Sequence, residues 1–366
     1  MRSNRITILL VLAVIMTSFV SQPYTTSALK NSNLSNKEFE NAMNDISEKD
    51  PGTYVTSNRV HNEGSYLQVP FTSLLKLDIQ NKAYIGVATD QNYSYIAKLK
   101  PGIAFIIDIQ RPVMLQHLLY KALFTMAESR VDFARLLLNR TGNSIDEIID
   151  SKESKEKTEV EKTAEKIITL LDKDYGIDLS EEDKRIIKEI YLDFYLNGAY
   201  ITCGTGPGNV PFKELIRQTD TSGQKGHYLW SDEDFAFLKN MSEKNLIIPL
   251  VGDFAGTKCI SELGKWLKKR KLKVGIFYTS SVEYWIGERK NNFAVWSIWI
   301  SNLKALPWSE NAVIVRATFG STFFNEHPRY RKGDSWISIA SYVRDFLSRC
   351  STKICGKEEL IKKYID

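Results

Sequence analysis

The sequence predicts an α/β protein built on an open, mainly parallel sheet with helices on both faces, and two observations predict it. Short runs at residues 83–88, 103–107, 246–251, 273–279 and 312–318 are mostly apolar, the first three without a break, the pattern of strands buried on two sides. Segments of helical periodicity separate most of them, and such alternation is the signature of a layered α/β domain. The 366 residues are enough for one large domain, and 43% hydrophobic with 25% charged residues excludes a disordered or fibrous chain. A formal charge of +5 is too slight to mark a nucleic-acid binder.

The amino terminus predicts export. Arg2 and Arg5 precede an apolar stretch at residues 6–20 that is short for a membrane span, and Thr26-Ser27-Ala28 offers small residues for cleavage. Residues 1–28 therefore read as a signal peptide, with an uncleaved anchor as the alternative, and the mature chain would start at Leu29 in the periplasm or the medium. No later segment reaches membrane-spanning length. Outside the cytoplasm the four cysteines read first as disulfides. Cys350 and Cys355 could close a small loop, and Cys203 and Cys259 follow strand-like runs and could meet. No metal site is expected, because His61, His117, His227 and His327 are scattered without ligand spacing.

Residues 29–65 form a polar arm, loose or helical for a short stretch, with order expected from Tyr66. After the first strand a helix is predicted over residues 92–99, and Pro101-Gly102 leads into the second strand. Pro112 opens a helix whose Leu115, Leu118, Leu119, Ala122, Leu123 and Met126 repeat toward Arg140. Residues 144–166 are polar and read as a solvated loop and an exposed helix start. Ser180 and Asp183 have the spacing of a capping box for a helix through Leu196, ended by Asn197-Gly198. Residues 140–197 thus form a helical insertion within a single domain spanning 66–366. Ile260, Leu263, Trp266 and Leu267 mark an amphipathic helix. A carboxyl-terminal helix is expected after Asp334, packed through Trp336, Ile337, Ile339 and Phe346.

Ligands of open parallel sheets bind beyond the carboxyl ends of the strands, where strand order reverses. Four strand ends present Gly86, Asp108, Asp253 and Glu283 toward one rim. Asp108 follows Gly86 by 22 residues, near the spacing at which an acid accepts hydrogen bonds from a ribose. Each residue also has a plainer role: Asp108 as a helix cap, Asp253 as a turn former between glycines, Glu283 as a first-turn acid. The turn Gly204-Thr205-Gly206-Pro207-Gly208 lacks the ending of a phosphate loop and reads as a connection, and His327-Pro328-Arg329-Tyr330-Arg331-Lys332 reads as a solvated loop.

The stretches Tyr84-Ile85-Gly86-Val87-Ala88-Thr89-Asp90-Gln91-Asn92, Ala104-Phe105-Ile106-Ile107-Asp108-Ile109-Gln110-Arg111 and Ile247-Ile248-Pro249-Leu250-Val251-Gly252-Asp253-Phe254 resemble an uncharacterised bacterial family with a class I methyltransferase-like (Rossmann) domain. So do Leu118-Leu119-Tyr120-Lys121-Ala122-Leu123-Phe124 and Phe277-Tyr278-Thr279-Ser280-Ser281-Val282-Glu283-Tyr284, and the resemblance covers roughly residues 66–320. It implies a sheet related to that of S-adenosylmethionine-dependent methyltransferases. By position, Gly86 would lie under the methionine part of the cofactor, Asp108 would hold the ribose and Asp253 would contact the adenine. Glu283 would face the methyl-transfer space as a base. Ala88 stands where a second glycine is common in that turn. The expectation is an exported protein that binds a small nucleoside-type ligand, with S-adenosylmethionine-dependent methyl transfer as the alternative.

Overall fold

The computed structural model describes residues 33–50, 58–204, 209–287, 289–319, 336–355 and 364–366. The proposed signal peptide, most of the Gly204–Gly208 turn and the His327–Lys332 loop lie outside them. In chain order the elements are α1 (Asn36–Ile46), α2 (Phe71–Leu75), β1 (Ala83–Val87), α3 (Gln91–Leu99), β2 (Ile103–Asp108) and α4 (Arg111–Met126). Then come α5 (Arg130–Leu138), α6 (Ile145–Asp150), α7 (Lys157–Thr169), α8 (Glu181–Asn197), α9 (Phe212–Ile216) and α10 (Asp232–Glu243). The chain continues through β3 (Ile247–Val251), α11 (Cys259–Lys269), β4 (Val274–Ser280), α12 (Val282–Gly287), α13 (Asn292–Ala305), β5 (Trp308–Phe319), β6 (Trp336–Tyr342) and α14 (Val343–Cys350).

One six-stranded sheet has the order β3-β2-β1-β4-β5-β6, all parallel except β6, which runs antiparallel to β5. Every residue of β1, β2 and β3 is buried, as the unbroken apolar runs require of strands covered on both faces. Pro249 is tolerated within β3 because that strand is at the sheet edge. Successive strands move from β1 toward β3 and then from β4 toward β6, so the order reverses between β1 and β4. Right-handed crossovers on either side of that point lay their helices on opposite faces. In agreement, α10 packs on α3 and α4, whereas α11 packs on α1 and α13.

Several expectations change in the structure. The arm does not wait for Tyr66 to become ordered: α1 buries Phe39, Ala42, Met43 and Ile46, and its Ser35–Glu38 capping box fixes its start. The helix expected from Pro112 toward Arg140 breaks at Ala127, and Ser129 caps a second helix by accepting from the Asp132 amide. Residues 144–166, read as a solvated loop and a helix start, include α6, whose Ile145, Ile148 and Ile149 are buried. Trp336, Ile337 and Ile339 belong to β6, not to a helix; Ile337 and Ile339 alternate with Ser338 and Ala340, the two-residue period of a strand. Phe346 does lie on a helix, α14. The Ser180–Asp183 box caps α8 as expected, and Gly198 ends that helix with φ of +53°.

Candidate functional site

The carboxyl ends of β2 and β3 lie side by side. Asp108 is in register with Val251, and the Gly252 amide donates to the Asp108 carbonyl across 2.8 Å. Asp108 and Asp253 are therefore neighbours on one rim. Val87 pairs with Ile107, which brings Ala88 and the turn after β1 beside Asp108.

Each predicted residue then has a definite environment. A Cβ at Gly86 would meet Asn92 Oδ1 at 1.9 Å and the Tyr84 hydroxyl at 2.9 Å. That space is filled by the chain itself: Asn92 accepts from Tyr84 and donates to the carbonyls of Val87 and Thr89. Asp108 is buried at the β2 tip. Burial pushes its carboxyl up to about 6, against the amides of Gln110, Ala88 and Ile109, of which Gln110 donates at 2.9 Å. The Gln110 bond is a local turn contact, the Ala88 bond crosses to the turn after β1, and the cap position of α4 belongs to Gln110. Asp253 accepts from the Ala255 amide at 2.9 Å and from Arg289 Nη1 at 2.5 Å, so its carboxylate is committed to a turn and an ion pair.

Glu283 sits in the first turn of α12, on the β4 side of the switch. Its Oε2 is 3.7 Å from Arg316 Nη1, and burial pushes its carboxyl up to about 7 against the pull of that guanidinium. Its Oε1 has no hydrogen-bond partner among the described residues. The Arg289–Asp253 ion pair ties the turn after α12 back to the β3 rim.

Three buried residues beyond β1 were not legible in the sequence. Asp90 accepts from Thr89 Oγ1 and from the His61 amide, and burial pushes its carboxyl up to about 7. His61 Nδ1 accepts from the Glu63 amide, which leaves Nε2 protonated and 3.6 Å from Asp90 Oδ2. Burial holds His61 down to about 3, so at neutral pH the ring is uncharged and the contact is no ion pair. Glu63 accepts from Tyr278 Oη at 2.7 Å and from the Ser280 hydroxyl, and burial raises its carboxyl. Glu63 lies in the expected arm, 217 residues from Ser280, and no local signal links them.

A cavity of about 200 Å³ opens between α1, α4 and the loop before α8. Met43, Met114, Leu118 and Leu179 supply its apolar lining, with Glu48 and Arg111 among its charged residues. Arg111 follows Asp108 by three residues and makes a two-pronged contact with Asp183, at 2.6 and 2.8 Å. Glu48 closes the β3 end: its carboxylate accepts from the amides of Asp253, Lys258 and Cys259. Among the described residues no three His, Cys, Asp or Glu side chains are placed to hold a metal ion. Cys350 and Cys355 form a disulfide, whereas Cys203 and Cys259 do not meet: Cys203 donates to Asn58 and Cys259 is buried at the start of α11.

Residues 62–364 match a family described as a domain of unknown function, DUF7790. No curated protein matches the chain.

Proposed function

The chain belongs to the DUF7790 family, a domain of unknown function, and from that premise we propose that it binds a small nucleoside-type ligand at the carboxyl ends of β2 and β3. The observation that carries this reading is the buried Asp108 at the β2 tip, next to the turn after β1 and three residues before an arginine that lines a cavity. A carboxylate there accepts hydrogen bonds from vicinal hydroxyls. The cavity of about 200 Å³ sets Met43, Met114, Leu118 and Leu179 beside Asn44, Ser47, Glu48 and Arg111, a mixed lining that suits a ring carrying polar groups.

A preformed S-adenosylmethionine site is a poorer fit. Asn92 fills the space against Gly86 where the methionine part would lie, and Asp253 is engaged by Arg289. Methyl transfer is a second reading on one observation: Glu283 Oε1 has no partner among the described residues, on a carboxyl pushed up to about 7, as a general base requires. The exported location is part of the proposal, and the Cys350–Cys355 disulfide supports an oxidising compartment.

Calorimetric titration with adenosine, S-adenosylmethionine and S-adenosylhomocysteine tests both readings. Binding that weakens about tenfold or more in Asp108→Asn is expected, since a hydrogen bond to a charged group contributes about 1.5–3 kcal/mol. No heat and no thermal shift with any of the three ligands overturns the reading. Transfer of a labelled methyl group that is lost in Glu283→Gln would favour the second.

A further inference from the structure

Helix α13 has one buried and one exposed side. Trp296, Trp299, Ile300 and Leu303 are buried in the core, while Phe293, Ala294 and Ile298 face solvent beside Asn292, Ser297, Ser301 and Lys304. The preceding α12 packs against it and exposes Tyr284 and Trp285. Trp285 is 58% exposed and Phe293 59%. Large aromatic side chains are seldom left this exposed, and they concentrate at membrane–water boundaries.

Charge and size narrow the occupant. Lys290, between the two helices, and Lys304, in line with Phe293, Ser297 and Ser301 by helical spacing, are both exposed. Residues 284–305 carry Arg289, Lys290, Lys304 and one acid, Glu288; Arg289 is paired with Asp253, so the two lysines form the basic fringe. A basic fringe around an aromatic patch complements anionic headgroups. A stable protein interface takes about 20–30 residues a side, far more than this patch offers, whereas interfacial seating needs only a few inserted aromatics. No described helix is long and apolar enough to cross a membrane.

We propose that the face formed by Tyr284, Trp285, Phe293 and Ile298 seats in the interface of an anionic lipid bilayer, with Lys290 and Lys304 toward the phosphates. This does not depend on the ligand proposed for the β2–β3 rim. The test is co-sedimentation with vesicles of phosphatidylcholine alone and of phosphatidylcholine mixed with phosphatidylglycerol. The chain from Leu29 onward is used, which retains every described residue and removes the apolar residues 6–20 that would bind vesicles unaided.

Binding to the mixed vesicles is expected to exceed binding to the neutral ones. It should fall about tenfold or more in the Trp285→Ser, Phe293→Ser double variant. In Lys290→Gln it should fall about fivefold. Unchanged circular dichroism and melting temperature show that these surface variants fold. No binding to anionic vesicles, or equal binding by the double variant, overturns the proposal. A dimer that the double variant abolishes, with no vesicle binding, assigns the face to a second copy of the chain instead.

Discussion

His117 Nε2 donates to the carbonyl oxygen of Ala88 across 2.8 Å, and Ala88 holds φ of +66°. That left-handed backbone costs an L-residue about 1–2 kcal/mol. The same ring accepts from the Tyr93 hydroxyl at Nδ1, 2.9 Å away, which fixes its tautomer. Burial holds His117 down to about 4, so the ring stays neutral and Nδ1 stays an acceptor at physiological pH. The turn that brings β1 beside Asp108 is therefore pinned from α4.

His117→Phe leaves two buried groups without partners and is expected to cost about 2 kcal/mol or more in urea denaturation. Ala88→Gly relieves the left-handed strain and is expected to raise stability by up to about 1 kcal/mol. A His117→Phe protein as stable as the parent would remove the pinning role.

Buried Asp90 should make the protein less stable as pH rises. Its carboxyl is raised from 3.8 to about 7, so its contribution is fully present below pH 3.8 and is lost as pH climbs through 7. At about 1.36 kcal/mol per unit, the loss between pH 5 and pH 8 is on the order of 2–3 kcal/mol. His61 and His117, lowered to about 3 and about 4, act in the opposite sense, losing stability as pH falls below 6.5. Asp90→Asn should therefore flatten the fall in stability between pH 6.5 and 8, whatever constant offset it introduces. Parallel denaturation curves for parent and variant across that range would contradict this.

The strands were legible because a buried parallel strand writes itself as an unbroken apolar run, and this is what placed Asp108 and Asp253 at adjacent strand ends. Local devices were legible too: the Ser180–Asp183 cap spans three residues and the Cys350–Cys355 disulfide five. What could not be read depends on distant side chains. Asn92 fills the space against Gly86 only because α3 folds back over β1, and Arg289 reaches Asp253 only across the sheet rim. Glu63 and Ser280 meet across 217 residues of sequence. In β6 the signal was present, in the alternation of Ile337 and Ile339, but Trp336 and Ile339 also fit helical spacing.

Asp108 and Asp253 should separate in their effects although they are neighbours. Asp253 spends its oxygens on Arg289 and the Ala255 amide, so Asp253→Asn is expected to cost about 1 kcal/mol of stability and to leave nucleoside binding within about twofold. Asp108→Asn should do the reverse, weakening binding with little loss of stability. Calorimetry and denaturation on the two variants check this. A tenfold binding loss in Asp253→Asn would mean that the Arg289 pair opens for the ligand.

Glu48 should govern whether the amino-terminal helix stays docked. Its Oε2 accepts from the Asp253 amide and its Oε1 from those of Lys258 and Cys259, at the start of α11 where a carboxylate is favoured by the helix dipole. Around this contact the Glu48 amide donates to the Val251 carbonyl, and Lys258 Nζ donates to the Ser47 carbonyl. Glu48→Ala strips three amides of their acceptor at once and is expected to cost about 2–4 kcal/mol, with Glu48→Gln costing less because one oxygen remains. The cost should be regional. Hydrogen exchange in Glu48→Ala should quicken in α1 and in the loop from Gly252 to Cys259, while β1, β2 and β4 keep their protection. Uniform acceleration across the sheet would show that α1 is integral to the cooperative core and is not a separately docked strap.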